Sequence, residues 1–134
     1  MKDKIKNLPL FFAGLISLFF SVGHWVWGNK FVLSKLFFVS FSMLARAACE
    51  IAWVQGSIPF FAIGIALIYL SLRAEAVSKK FLCFCLFIVV SELAVFLTLA
   101  IKKFPFVLKQ AAPQGFLSLV LIGLLFYSIR KIES

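Results

Sequence analysis

"FLCFCLFIVVSELAVFLTLAI", residues 81–101, carries one charge, Glu92, in a stretch otherwise built from Leu, Val, Phe, Ile and small residues. About 20 consecutive apolar residues, at ~1.5 Å of rise each, cross the ~30 Å hydrocarbon core of a bilayer as a helix. A surface helix of a soluble domain would instead alternate apolar and polar faces. The stretch therefore reads as a membrane span. Three others share its character: "LPLFFAGLISLFFSVGHWVWG" at 8–28, "CEIAWVQGSIPFFAIGIALIYLSL" at 49–72 and "PQGFLSLVLIGLLFYSI" at 113–129, the shortest.

Composition points the same way. The 134 residues are 63% hydrophobic, with 18 Phe, against about 45–50% apolar for a soluble domain. A soluble fold this small could not hide so much apolar surface. The fold expected is all-α: a polytopic four-transmembrane-helix bundle forming a single membrane domain over 1–134. Residues 31–45, "FVLSKLFFVSFSMLA", are apolar but interrupted by Lys35 and three Ser. They read as an amphipathic, interfacial connector between helices 1 and 2. The alternative is a fifth span running from 31 into 48, with a break at Gly56 to Pro59.

The net charge is +9. A basic chain raises the possibility of nucleic acid, but here the charges sit in small groups between apolar runs. They suit membrane-flanking anchors and anionic lipid head groups, so no nucleic acid is expected. With four spans, both termini share a side with the 73–80 loop. That side carries eight Lys and Arg, including Lys2, Lys4, Lys6, Arg73, Arg130 and Lys131, against six on the other. The positive-inside rule then places both termini in the cytoplasm, in a bacterial inner membrane. A cleaved leader is the alternative for the first segment, with basic "MKDKIKN" followed by a small-x-small "SVG" at 21–23. Apolar and aromatic residues continue through Trp27, past that site, and favour a retained helix. Trp25, Trp27 and Trp53 all fall toward the first-loop side, as in an aromatic belt.

The polar residues inside the spans are the candidates for function. Gly14, Ser17, Ser21, His24 and Gly28 follow one another by three or four and share one helical face. Small residues on one face allow close helix approach. His24 ends the stripe and should face protein, as a hydrogen-bonded structural group or a ligand- or proton-handling one. Arg46, Glu50, Trp53, Ser57 and Gly64 share a face of the second span. Arg46 and Glu50 can pair at i, i+4, and Glu50 is expected in the first turn, where the helix dipole favours an anion. Glu92 lies mid-span, where a charge costs at least ~2.5 kcal/mol, so it is neutral, paired or in a wet cavity. Antiparallel spans bring His24, Arg46, Glu50, Trp53 and Gln114 toward the first-loop side, with Glu92 deeper. The expectation is a polar pocket in the bundle that opens on that side only.

No nucleophile elbow, phosphate loop or zinc-protease motif is present, and no metal is expected. Cys49, Cys83 and Cys85 form no C-x-x-C pair. With one His, bis-His haem ligation within one chain is impossible, and no cofactor is expected. "GHWVWG" at 23–28 and "WVQGS" at 53–57 resemble a His–Gly ending of helix one and a "W-H-x-x-S"-like start of helix two. The pattern is that of small bacterial four-helix membrane proteins of uncharacterised function. Val54 stands where it has a His. The resemblance implies a fold and supplies no function.

Three functions remain open. The first is a non-enzymatic accessory or binding protein, with the lipid bilayer and a membrane-protein partner or second copy as partners. The second is a small proton-coupled transporter using Glu92. The third is a membrane enzyme acting on a lipid or isoprenoid, with His24 and Glu50 as acid and base and Arg46 holding an anionic head group. The absence of catalytic motifs leans against the third.

Overall fold

A computed structural model describes residues 5–28, 30, 42–73, 77–102 and 105–133. Four helices make up the described fold: α1 (Leu8–Trp27), α2 (Met43–Leu72), α3 (Lys79–Lys102) and α4 (Pro105–Glu133). Each contains a stretch long and apolar enough to cross a membrane: Leu8–Val26, Cys49–Leu72, Lys79–Lys102 and Ala112–Ile132. The chain is an all-α integral membrane protein.

Two boundaries differ from the sequence reading. Residues 43–45, assigned to the connector, are the first turn of α2, which then runs unbroken past Gly56 and Pro59. Pro59 removes one backbone donor but is tolerated in a membrane helix whose neighbours supply other bonds. Glu50 therefore lies two turns inside α2, not in its first turn, and beyond the reach of the dipole argument, which fades within one turn. Pro113, expected near the start of the fourth span, lies inside α4, because "PFVLKQAA" before it is also helical. The rest of the proposed connector, 31–41, falls outside the described residues, as does the fifth-span alternative that rests on it.

Local chemistry sets the start of α1. Asn7 is the N-cap, its Oδ1 accepting the Leu10 N–H at 3.3 Å, with Pro9 in the first turn where a missing N–H costs nothing. The N–H groups of Lys6 and Asn7 both donate to the Ser71 carbonyl, at 2.9 and 3.2 Å. That ties the beginning of α1 to the end of α2, so the two run antiparallel.

The small-residue stripe forms the α1–α2 contact. A Cβ on Gly14 would sit 2.7 Å from Ile68 Cγ1 and 2.9 Å from the Gly64 carbonyl oxygen; one on Gly64 would sit 2.7 Å from Leu18 Cγ. Only glycines permit this approach. Ser17 Oγ donates to the Phe60 carbonyl at 2.7 Å and Ser21 Oγ to the Ser57 carbonyl at 2.8 Å. Buried Ser57 also reaches across, sharing a bond with His24 Nδ1, whereas Ser71, Ser118 and Ser128 bond carbonyls of their own helices. Membrane interhelical hydrogen bonds average about 0.6 kcal/mol. The double variant Ser17→Ala/Ser21→Ala is thus expected to lose about 1 kcal/mol in detergent-micelle unfolding. A loss of several kcal/mol would mean that the hydroxyls, and not the glycines, dominate this contact.

α1 packs most extensively on α2 and α3 on α4, and the two pairs meet mainly through α1 and α4. One core joins all four helices: Leu10 and Ala13, Phe60, Ile63 and Leu67, Leu82, Cys85 and Val89, then Leu121, Leu125 and Ile129. These residues lie toward the end where α1 begins, and that end is closed by apolar packing.

Candidate functional site: a cleft faced by all four helices

At the end where α1 finishes, the bundle opens into a cleft of about 140 Å³. Phe20 and His24 come from α1, Gly56 and Phe60 from α2, Glu92, Leu93 and Phe96 from α3, and Gln114, Gly115 and Ser118 from α4. Each helix contributes residues four apart, one turn of one face. A second cavity of about 270 Å³ lies between α1 and α4, lined by Phe19, Gly23, Pro113 and Leu117. It shares Phe20, His24 and Gln114 with the cleft.

His24 is the most tightly positioned polar side chain of the cleft. Its ring lies parallel to Trp53, with centroids 4.5 Å apart, and nearly parallel to Phe20 at 6.2 Å. Phe20 in turn packs on Phe60 at 4.4 Å. His24 Nδ1 shares a hydrogen bond of 2.9 Å with Ser57 Oγ. The Ser57 hydroxyl has one proton for two acceptors, since the Trp53 carbonyl also lies 3.4 Å away. If it donates to Nδ1, His24 carries its proton on Nε2. If it donates to Trp53, the proton is on Nδ1 and Nε2 is an acceptor. In both cases Nδ1 is occupied, and Nε2 has no hydrogen-bond partner among the described residues.

Trp53 fixes this arrangement from behind. Its Nε1–H donates to the His24 carbonyl at 2.8 Å. Gly28 leaves room for the indole: a Cβ there would fall on Trp53. The sequence places Trp53 both in an interfacial belt and near the pocket; in the structure it packs on His24. Gly28, at the end of the α1 stripe, was the available signal.

Glu92 is ten residues before Lys102, the last residue of α3, which is roughly 15 Å along the helix and close to mid-membrane. It is exposed and lines the cleft. Among the described residues it has no hydrogen bond or ion pair. The neighbouring-helix bond that would make it purely structural is not present there. Gln114 faces the same cleft from α4. Glu50 is exposed and does not line the cleft, and of Arg46 only the backbone is described. The structure thus brings together His24, Trp53, Glu92 and Gln114, and leaves Glu50 apart. Among the described residues no three His, Cys, Asp or Glu side chains converge as metal ligands would.

Phe20, Phe60, Phe96 and Gly115 were not singled out by sequence. The available signal was their spacing from polar or small residues: Phe20 lies four before His24, Phe60 four after Gly56 and Phe96 four after Glu92.

Fold and cleft together define an integral membrane protein with a small internal site. No protein family, curated protein or solved structure matches this chain.

Proposed function

We propose that the chain is a non-enzymatic membrane binding protein that holds a small, largely apolar ligand in the four-helix cleft. We place it in a bacterial inner membrane with both termini in the cytoplasm, on the Lys and Arg distribution. The observation that carries the binding reading is the cleft itself: every helix faces it, Phe20, Phe60, Leu93 and Phe96 give it apolar walls, and a few polar groups converge. That is the usual make-up of a small-molecule site. Its 140 Å³ is close to the ~150 Å³ of an apolar protein cavity that accepts benzene. A role as accessory subunit to another membrane protein, or as part of a homo-oligomer, is compatible with such a module.

Gly115 gives the direct test. It lines the cleft, and a Cβ there would meet nothing within 4 Å. Gly115→Phe is therefore expected to fill the cleft without disturbing the bundle. Native mass spectrometry of protein released from mild detergent should show a small molecule on the wild type and none on Gly115→Phe. The same bound mass on both proteins would sink the reading.

Glu92 favours a second reading, a proton-coupled transporter, because an acid at that depth, with no partner among the described residues, can exchange a proton for a substrate. It requires a pH-driven flux in proteoliposomes that Glu92→Gln abolishes. Unchanged flux in that variant removes it.

A further inference from the structure

From the electrostatics of the cleft we infer that its ligand is a small lipophilic cation, a protonated amine on an apolar body, with the ammonium against Glu92. The inference rests on the binding reading above and adds the charge of the ligand.

Two independent features select the same sign. The first is the carboxylate. Glu92 is exposed to the cleft and has no ion pair or hydrogen bond among the described residues. At ~15 Å from the helix end its short side chain cannot reach the interface, as a longer Lys or Arg side chain near a helix end does. A charged Glu92 is stabilised by a cation, and none of the described residues supplies one. The second is the aromatic wall. Phe20, Phe60 and Phe96 line the same cleft. The face of a phenyl ring is negative and attracts ammonium groups. An anion would meet repulsion from both features. No Lys or Arg among the described residues lines the cleft to offset it.

Shape sets the rest of the ligand. The adjoining α1–α4 cavity is lined by Phe19, Leu117, Pro113 and Gly23. It offers room for an apolar body beside the carboxylate and no further charge. A hydrated metal ion would leave that volume unfilled and find one carboxylate where it needs several ligands.

Three probes of one shape and different charge decide the matter: benzylamine, benzyl alcohol and benzoate. Each is titrated calorimetrically at pH 7 into the full chain in nanodiscs, and into Glu92→Gln. Benzylamine is expected to bind the wild type at least tenfold more tightly than benzyl alcohol, with benzoate weakest. In Glu92→Gln the amine should fall to the level of the alcohol. If the alcohol or benzoate binds the wild type as well as the amine, the cation inference is overturned while the binding cleft stands. An amine preference that survives in Glu92→Gln overturns it too. If none of the three binds, both readings fall.

Discussion

Gly14→Val is expected to destabilise the bundle by on the order of 3 kcal/mol or more. Overpacking commonly costs 1–3 kcal/mol, because side chains can usually move aside. Here two of the three nearest atoms are backbone: the Gly64 carbonyl oxygen and the Ile68 nitrogen, each 2.9 Å from the added Cβ. A backbone atom within a regular helix cannot rotate away, so the helices must separate. Separation would also stretch the Ser17 and Ser21 hydrogen bonds, at 2.7 and 2.8 Å. Gly14→Ala should already cost about 2 kcal/mol. The check is reversible unfolding in mixed micelles, followed by far-ultraviolet circular dichroism. Gly123, where a Cβ meets nothing within 4 Å, is the control: Gly123→Ala should be neutral or slightly stabilising, because Ala is the better helix former. Equal effects at Gly14 and Gly123 would show that close approach is not what holds α1 to α2.

Trp53→Ala is expected to cost about 3 kcal/mol, in the range for truncating large packed aromatics. The indole stacks on His24 at 4.5 Å and donates to the His24 carbonyl at 2.8 Å. Trp53→Phe separates the two contributions. It keeps a ring against His24 and loses one hydrogen bond, so about 1 kcal/mol is expected. Were Trp53 merely an interfacial anchor, both variants would be nearly silent in a micelle. The two should also differ in ligand binding. Trp53→Ala removes the wall that holds the His24 ring in place and should weaken any cleft ligand, while Trp53→Phe should preserve it.

The spans were legible because a bilayer imposes its length on the sequence: four runs of about 20 apolar residues admit few other readings. The α1 stripe was legible because Gly14, Ser17, Ser21, His24 and Gly28 repeat with the helical period. The cleft walls were not. In a soluble protein, apolar means inside. In lipid that rule lapses, since acyl chains are as apolar as a protein core. Phe19, at 77% exposure, and its neighbour Phe20, against Phe60, are the same residue type with opposite surroundings. No hydropathy pattern distinguishes them. The start of α2 was missed for a related reason. "MLARAA" is good helix-forming sequence, and nothing in it stops a helix between interface and span.

Buried serines stitch α1 to α2, while among the described residues no buried serine crosses from that pair to α3 and α4, where contact is mainly the α1–α4 packing. The bundle is in this sense two stiff hairpins hinged on a greasy seam. Sliding along that seam leaves the Ser17 and Ser21 hydrogen bonds intact. The cleft straddles it, with His24 on one hairpin and Glu92 and Gln114 on the other. Its width is thereby left adjustable: a ligand bridging the two hairpins would act as a wedge or a clasp, and the lipids pressing on the outside would share in setting how far the seam opens.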